Sequence, residues 1–217
     1  MFARTLLATA AAIALAHPAS AQARRKVEIA PALGAYAPTG RLPIFRGTTH
    51  VCYGDANGGC RPNVLSAKAT VAVGGRVTAW LSNRAAIEGS FWYAPSGVTG
   101  FVQGDVDGAG SIVMADLRLV LNLVPHAPMS ALLMAGPAVI QRFSDFGKPT
   151  AVGGAVGIAL DVHPMRSGWM KSLPGGGRFG FRPAIEDHLY ALGGKFQQDF
   201  VFSLSIGLGQ GQRGERQ

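Results

Sequence analysis

The segment FVFSLSIGLG, residues 200–209, places Phe200, Phe202, Leu204, Ile206 and Leu208 on alternate positions, with Val201, Ser203, Ser205, Gly207 and Gly209 between them. A period of two is that of a β-strand, whose successive side chains point to opposite faces. The alternation returns along the chain. KVEIAPALGAYA (26–37) sets Val27, Ile29, Leu33 and Ala35 against Lys26, Glu28, Ala30 and Gly34. KATVAVGGRVTAWL (68–81) sets Val71, Val73, Val77 and Leu81 against Thr70, Gly74, Arg76 and Thr78. Only Ser82 and Asn83 separate it from RAAIEGSFWY (84–93), where Ile87, Phe91 and Tyr93 oppose Glu88, Ser90 and Trp92; this is the signal of a tight hairpin. IVMADLRLVLNL (112–123) sets Val113, Ala115, Leu117, Leu119, Leu121 and Leu123 against Met114, Asp116, Arg118 and Asn122. SALLMAGPAVIQ (130–141) alternates less cleanly, and TAVGGAVGIALD (150–161) and RFGFRPAIED (178–187) complete eight predicted strands.

The minority face decides what the apolar face meets. It carries charges in mid-strand: Lys26, Arg76, Arg118, Arg178 and Arg182 against Glu28, Glu88, Asp116, Asp161 and Glu186. Equal numbers of opposite charges fit a narrow closed lumen, where buried ions must be paired to offset desolvation. A lipocalin-type soluble barrel needs the reverse, an apolar interior and a polar exterior. In hydrocarbon every backbone amide must be satisfied, so the strands have to close. Eight strands leave an interior just filled by side chains, and Gly153, Gly157, Gly207 and Gly209 are expected to make room there for long arginines. The fold predicted is all-β: an eight-stranded antiparallel transmembrane barrel, an up-and-down meander.

Connection lengths point the same way. Pro38–Ala67 (about 30 residues), Ala94–Gly110 (about 17) and Arg142–Pro149 (about eight) alternate with short turns, as in outer-membrane barrels with long outer loops and short periplasmic turns. The connection Val162–Gly177 breaks this rule, being long where a short turn is expected. Tyr36, Trp80, Trp92 and Tyr93 lie near predicted strand ends, where interfacial aromatic girdles sit, with the lumen-facing members of this set counting less.

The first residues, MFARTLLATAAAIALAHPASAQA, combine Arg4, an apolar run over 6–16 and the small-residue stretch Ala19–Ala21; residues 1–21 are expected to be a cleaved signal peptide. The barrel is expected to occupy 22–209 and a polar tail 210–217. Export implies an oxidising compartment, where Cys52 and Cys60, the only cysteines, most simply form a disulfide pinning the first loop. Glycine is abundant (30 of 217 residues) and only 15% of residues are charged, which excludes disorder.

The chain resembles the small outer-membrane β-barrel superfamily, the OmpA/OmpX-like eight-stranded group. The resemblance rests on GAYAPTG (34–40), AVGGAVGIALD (151–161), RFGFRPAIEDHLYAL (178–192) and DFVFSLSIGLG (199–209). It implies a non-enzymatic protein of a Gram-negative-type envelope, with a role in envelope structure or surface contact through outer loops. Its implied partners are membrane lipid and, during biogenesis, periplasmic chaperones and the barrel-assembly machinery. Such proteins commonly finish on an aromatic residue, whereas here QGQRGERQ follows the last strand.

Sharper chemistry finds little support. DVDGAGSIVMAD (105–116) puts Asp105, Asp107, Gly110 and Asp116 on calcium-loop positions, but Ala109 and the strand character of Asp116 spoil the match. GGAVG (153–157) lacks the Lys-Ser/Thr pair and helix of a nucleotide loop. His163 with Ser167 is a conceivable lipid-modifying pair with nothing to orient it. No cofactor or catalytic residue is assigned. Loop cations, among them Arg41, Arg46, Arg61, Arg142 and Lys148, carry the net positive charge and suit anionic headgroups or lipopolysaccharide phosphates. Nucleic-acid binding has no support beyond the basic pI.

Overall fold

A computed structural model describes residues 26–39, 41–42, 53–54, 60–61, 64–101, 105–124, 129–144, 148–162, 179–192 and 195–209. The expected signal peptide, Cys52, Arg178, His163, Ser167 and the tail lie outside these residues. The long strands are β1 (Lys26–Pro38), β6 (Thr70–Trp80), β7 (Ala85–Ala94), β10 (Gly110–Asn122), β11 (Met129–Ser144), β12 (Thr150–Val162), β13 (Phe179–Leu192) and β14 (Lys195–Gly209). They form one closed antiparallel barrel in chain order, sealed by β14 against β1. No helix occurs among the described residues.

Strand pairing fixes the barrel's shape. Hydrogen-bonded neighbours lead from Ala37 through Phe200, Asp187, Val156, Ala135, Leu119, Ile87 and Ala79 to Val27, ten residues below the start on β1. That offset on eight strands corresponds to a tilt of roughly 40°. The outer wall is apolar on every strand: Leu33, Val77, Phe91, Leu117, Leu133, Ile158, Ile185 and Leu204 are all exposed. Adjacent residues on β10 give the contrast in one step, for Leu117 is 57% exposed and Arg118 1%. An exterior of this kind is stable against hydrocarbon and not against water.

Polar side chains shape the turns at one end. Ser82 Oγ accepts the backbone N–H groups of Arg84 (3.2 Å) and Ala85 (3.0 Å), closing β6 onto β7. The connection runs over residues 81–84, slightly longer than the two residues expected. Asn122 Oδ1 accepts the N–H of Val124 (3.1 Å), and Ser130 Oγ donates to the Val124 carbonyl (3.0 Å), turning β10 toward β11.

At the other end the wall continues. Strands β2 (Arg41–Leu42), β5 (Val64–Ala67), β8 (Val98–Phe101) and β9 (Asp105–Gly108) form a four-stranded sheet in the order β2-β5-β8-β9. These are chain extensions of β1, β6, β7 and β10, in the same lateral order. The short pair β3 (Tyr53–Gly54) and β4 (Cys60–Arg61) lies in the first connection. Both connections read as loops in the sequence. The Asp105–Asp116 stretch is thus divided between β9 and β10, with Asp116 in the barrel wall instead of a calcium loop.

Candidate functional site in the barrel lumen

Alternation turns every second side chain of the barrel strands inward, and the inward set contains a connected ionic network. Arg76 on β6 donates to Glu186 Oε1 on β13 and to Ser203 Oγ (2.6 Å) and Ser205 Oγ (3.2 Å) on β14. Arg118 on β10 donates to Glu186 Oε2 (2.7 Å) and Glu88 Oε1 (2.9 Å). Its Nε lies 2.8 Å from Asp116 Oδ1, an ion-pair contact off the hydrogen-bond direction. Arg182 donates to Glu88 Oε2 (2.6 Å) and reaches Glu28 (3.3 Å) and Asp161 (3.7 Å). Thr78 Oγ1 (2.6 Å, to Glu88) and Trp92 Nε1 (3.2 Å, to Glu186) add neutral donors. Arg76 also packs 5.6 Å from the Trp92 ring centroid.

The side chains of Arg76, Glu88, Asp116, Arg118 and Glu186 have no exposed surface. Such ions are tolerable only when paired, and each carboxylate here has a guanidinium within contact distance. Of the ten charged positions expected in the lumen, Glu28, Arg76, Glu88, Asp116, Arg118, Asp161, Arg182 and Glu186 meet in this network. Lys26 lies on β1, but its side chain and the whole of Arg178 fall outside the description.

A second polar cluster, nearer the projecting sheet, was not legible in the sequence. Arg142 is part of β11, not of a loop, and is buried. It donates to Asp199 Oδ2 (2.6 Å), Tyr190 Oη (2.5 Å) and Tyr36 Oη (3.0 Å), and Tyr190 donates to Asp199 (2.6 Å). Tyr36 and Trp92 are thus inside the barrel, fully buried, and are not girdle residues; Trp80 packs against an internal cluster, and only Tyr93 of that set faces outward. Apolar side chains fill out the lumen: Ile112, Met114 and Ile140 pack with Trp92, Tyr36 and Tyr190 in one cluster, and Val120, Leu132 and Met134 lie in another toward the turns.

Glycines accommodate these side chains, though not the arginines expected. A Cβ at Gly207 would overlap the Glu28 carboxylate, one at Gly153 would press on Tyr190, and one at Gly157 would crowd Met134 and Glu186.

Asp116, Glu186 and His188 bring ligand-type atoms within 4.8 Å of one another. Their carboxylate oxygens are already engaged by Arg76, Arg118, Trp92 and Ser90. His188 Nε2 lies 3.3 Å from Asp116 Oδ2, which also accepts from Ser90 (2.7 Å). The carboxylate sits between hydroxyl and imidazole, so this trio is not arranged as a nucleophile with its base.

No family model matches the chain, and no curated protein matches its sequence. Solved structures do. The outer membrane protein OprG of Pseudomonas aeruginosa superposes with a TM-score of 0.56 at 13% identity, covering 85% of this chain and 94% of OprG. The N-terminal β-barrel domain of Pseudomonas aeruginosa OprF gives 0.49 at 12% identity, over 85% and 96%. Ail of Yersinia pestis gives 0.45 at 13%, over 84% and 97%. At this identity the OprG likeness speaks for the fold. The chain is a closed eight-stranded antiparallel barrel that shares the fold of OprG, with an apolar outer wall and a charged, side-chain-filled lumen.

Proposed function

We propose that the protein is a non-enzymatic constituent of the outer membrane, serving envelope structure or surface contact. The observation that carries this reading is the filled lumen: charged groups tied to one another and large apolar side chains occupy the interior, while one wall continues beyond the barrel as the sheet β2-β5-β8-β9. The barrel is then an anchor and the sheet its working part, on the outer side, with both chain ends in the periplasm. Export by a cleaved leader, delivery by periplasmic chaperones and insertion by the barrel-assembly machinery belong to the same reading, as does a Cys52–Cys60 disulfide in the first loop. Cationic loop residues suit it to contact lipopolysaccharide phosphates.

Planar-bilayer recording of the purified protein tests the filled lumen. No unitary conductance is expected; reproducible steps would instead identify a solute channel. Lipid masses of overexpressing cells should stay unchanged, and a new lipid species lost in His163→Ala would identify a lipid-modifying enzyme. Replacing the loop cations together, Arg41→Gln with Arg46→Gln and Arg61→Gln, should preserve the gel-mobility shift on boiling and lower binding to a lipopolysaccharide-coated surface. Unchanged binding would remove these cations from the proposal.

A further inference from the structure

Three of the eight barrel seams skip two consecutive rungs, and each gap holds a proline. Between β1 and β14 the register passes from Ile29↔Leu208 to Ala32↔Ser205, bracketing Pro31. Between β10 and β11 it passes from Asp116↔Ala138 to Leu119↔Ala135, bracketing Pro137. Between β12 and β13 it passes from Ala159↔Ala184 to Val162↔Phe181, bracketing Pro183. The other five seams are continuous over their paired lengths. Proline has no N–H to return to the carbonyl opposite, at Ile206, Leu117 and Leu160 respectively. Where no water replaces it, a missing backbone hydrogen bond weakens the seam. Beside one gap, at Gly136, the Leu117 carbonyl stands so close over the Cα that a Cβ there would clash.

The gaps divide the barrel in a particular way. Those at Pro31 and Pro137 bound the four strands β1, β6, β7 and β10, which are the four that continue into the projecting sheet. The lumen network crosses between this leaf and the remaining wall. Arg76 and Arg118 on the leaf hold Glu186 on β13, and Arg182 on β13 holds Glu88 and Glu28 on the leaf. At the third gap Arg182 faces Asp161 across the seam, at 3.7 Å. At the β10–β11 gap the facing lumen positions are Arg118 and Gly136, and Gly136 has no side chain to form such a tie.

We propose that the barrel is built of two leaves meeting at proline-weakened seams, and that the buried ion pairs are the clasp that holds the sheet-bearing leaf, β1-β6-β7-β10, against β11–β14. The network's task is mechanical closure, independent of whether the sheet makes surface contacts. The clasp is anchored at Glu186, among the described residues the one carboxylate that two leaf arginines share.

Amide hydrogen exchange of the intact, refolded chain in lipid bilayers tests this. In the wild type, amides flanking the gaps (Leu117, Leu119, Leu160 and Ile206) are expected to exchange at least about tenfold faster than Val77 and Gly89 in the continuous β6–β7 seam. Glu186→Gln should accelerate the β1–β14 and β10–β11 gap amides further and leave β6–β7 unchanged. Pro137→Val, which restores a donor without touching the network, should slow exchange at Leu117 and keeps the test available should Glu186→Gln not fold. Uniform protection of all seams in the wild type, uniform acceleration of all seams by Glu186→Gln, or no change at Leu117 in Pro137→Val would each overturn the proposal.

Discussion

The two polar clusters in the lumen are built on different plans. Among the described residues, the central one spreads charge over three guanidiniums and five carboxylates, and each of Glu88 and Glu186 is shared by two arginines. Among the same residues, the one nearer the projecting sheet rests on one guanidinium and one carboxylate, Arg142 and Asp199, with the hydroxyls of Tyr36 and Tyr190 around them. In the first cluster, removal of a shared carboxylate takes a contact from two arginines at once, and with Glu186 it takes the carboxylate that Arg76 contacts. In the second, neutral donors remain to satisfy what is left. The comparison teaches that burial alone does not set the value of an ionic group; the charged contacts its loss takes from its partners do.

Mutations break or sharpen that contrast in a definite order. Glu186→Ala removes the carboxylate that Arg76 contacts and one of the three that Arg118 contacts, both fully buried, and should cost about 3–5 kcal/mol in urea unfolding from lipid vesicles. A charge on the opposite face of the wall sets a reference: Leu204→Arg places a cation against hydrocarbon and should cost about 2–4 kcal/mol by the same measurement. Arg142→Met leaves Asp199 with the Tyr190 hydroxyl and should cost less, about 1–3 kcal/mol. Tyr36→Phe removes one neutral acceptor of Arg142 and should cost about 1 kcal/mol. If Arg142→Met proves as damaging as Glu186→Ala, the two clusters are equivalent and the distinction drawn from partner number fails.

Much of the fold was legible because alternation is a local property. Strand β10 reads apolar-out and charged-in over consecutive positions, and each of the eight long strands carries some version of that pattern. The same parity assigned Arg76, Glu88, Asp116, Arg118, Asp161, Arg182 and Glu186 to one face without any knowledge of their partners. Pairing itself was not legible. That Glu186 meets both Arg76 and Arg118 depends on the ten-residue offset around the barrel, which no single segment carries.

Arg142 was missed because it stands at the edge of RFSDFGKP, a stretch whose Gly, Pro and Asp signal a loop, whereas β11 runs on to Ser144. Tyr36 and Trp92 were read from their nearness to strand ends, but parity governs orientation, and both have inward parity. The sheet β2-β5-β8-β9 was hidden for a related reason: its strands are short and set among Gly, Pro and Asn, which mark turns. The three mid-strand prolines argue locally against central strands, yet the barrel accepts them on its outer face.

Spin labelling along β14 tests inverted polarity most directly. With Cys52→Ser and Cys60→Ser removing the native thiols, single labels are placed at Leu204 and Ser205 of the protein in lipid bilayers. The Leu204 label should be relaxed strongly by oxygen and weakly by a water-soluble nickel complex, while the Ser205 label should be immobile and shielded from both. Strong relaxation of both labels by the nickel complex, or an exchange of their behaviour, would contradict a wall that is apolar outside and ionic within.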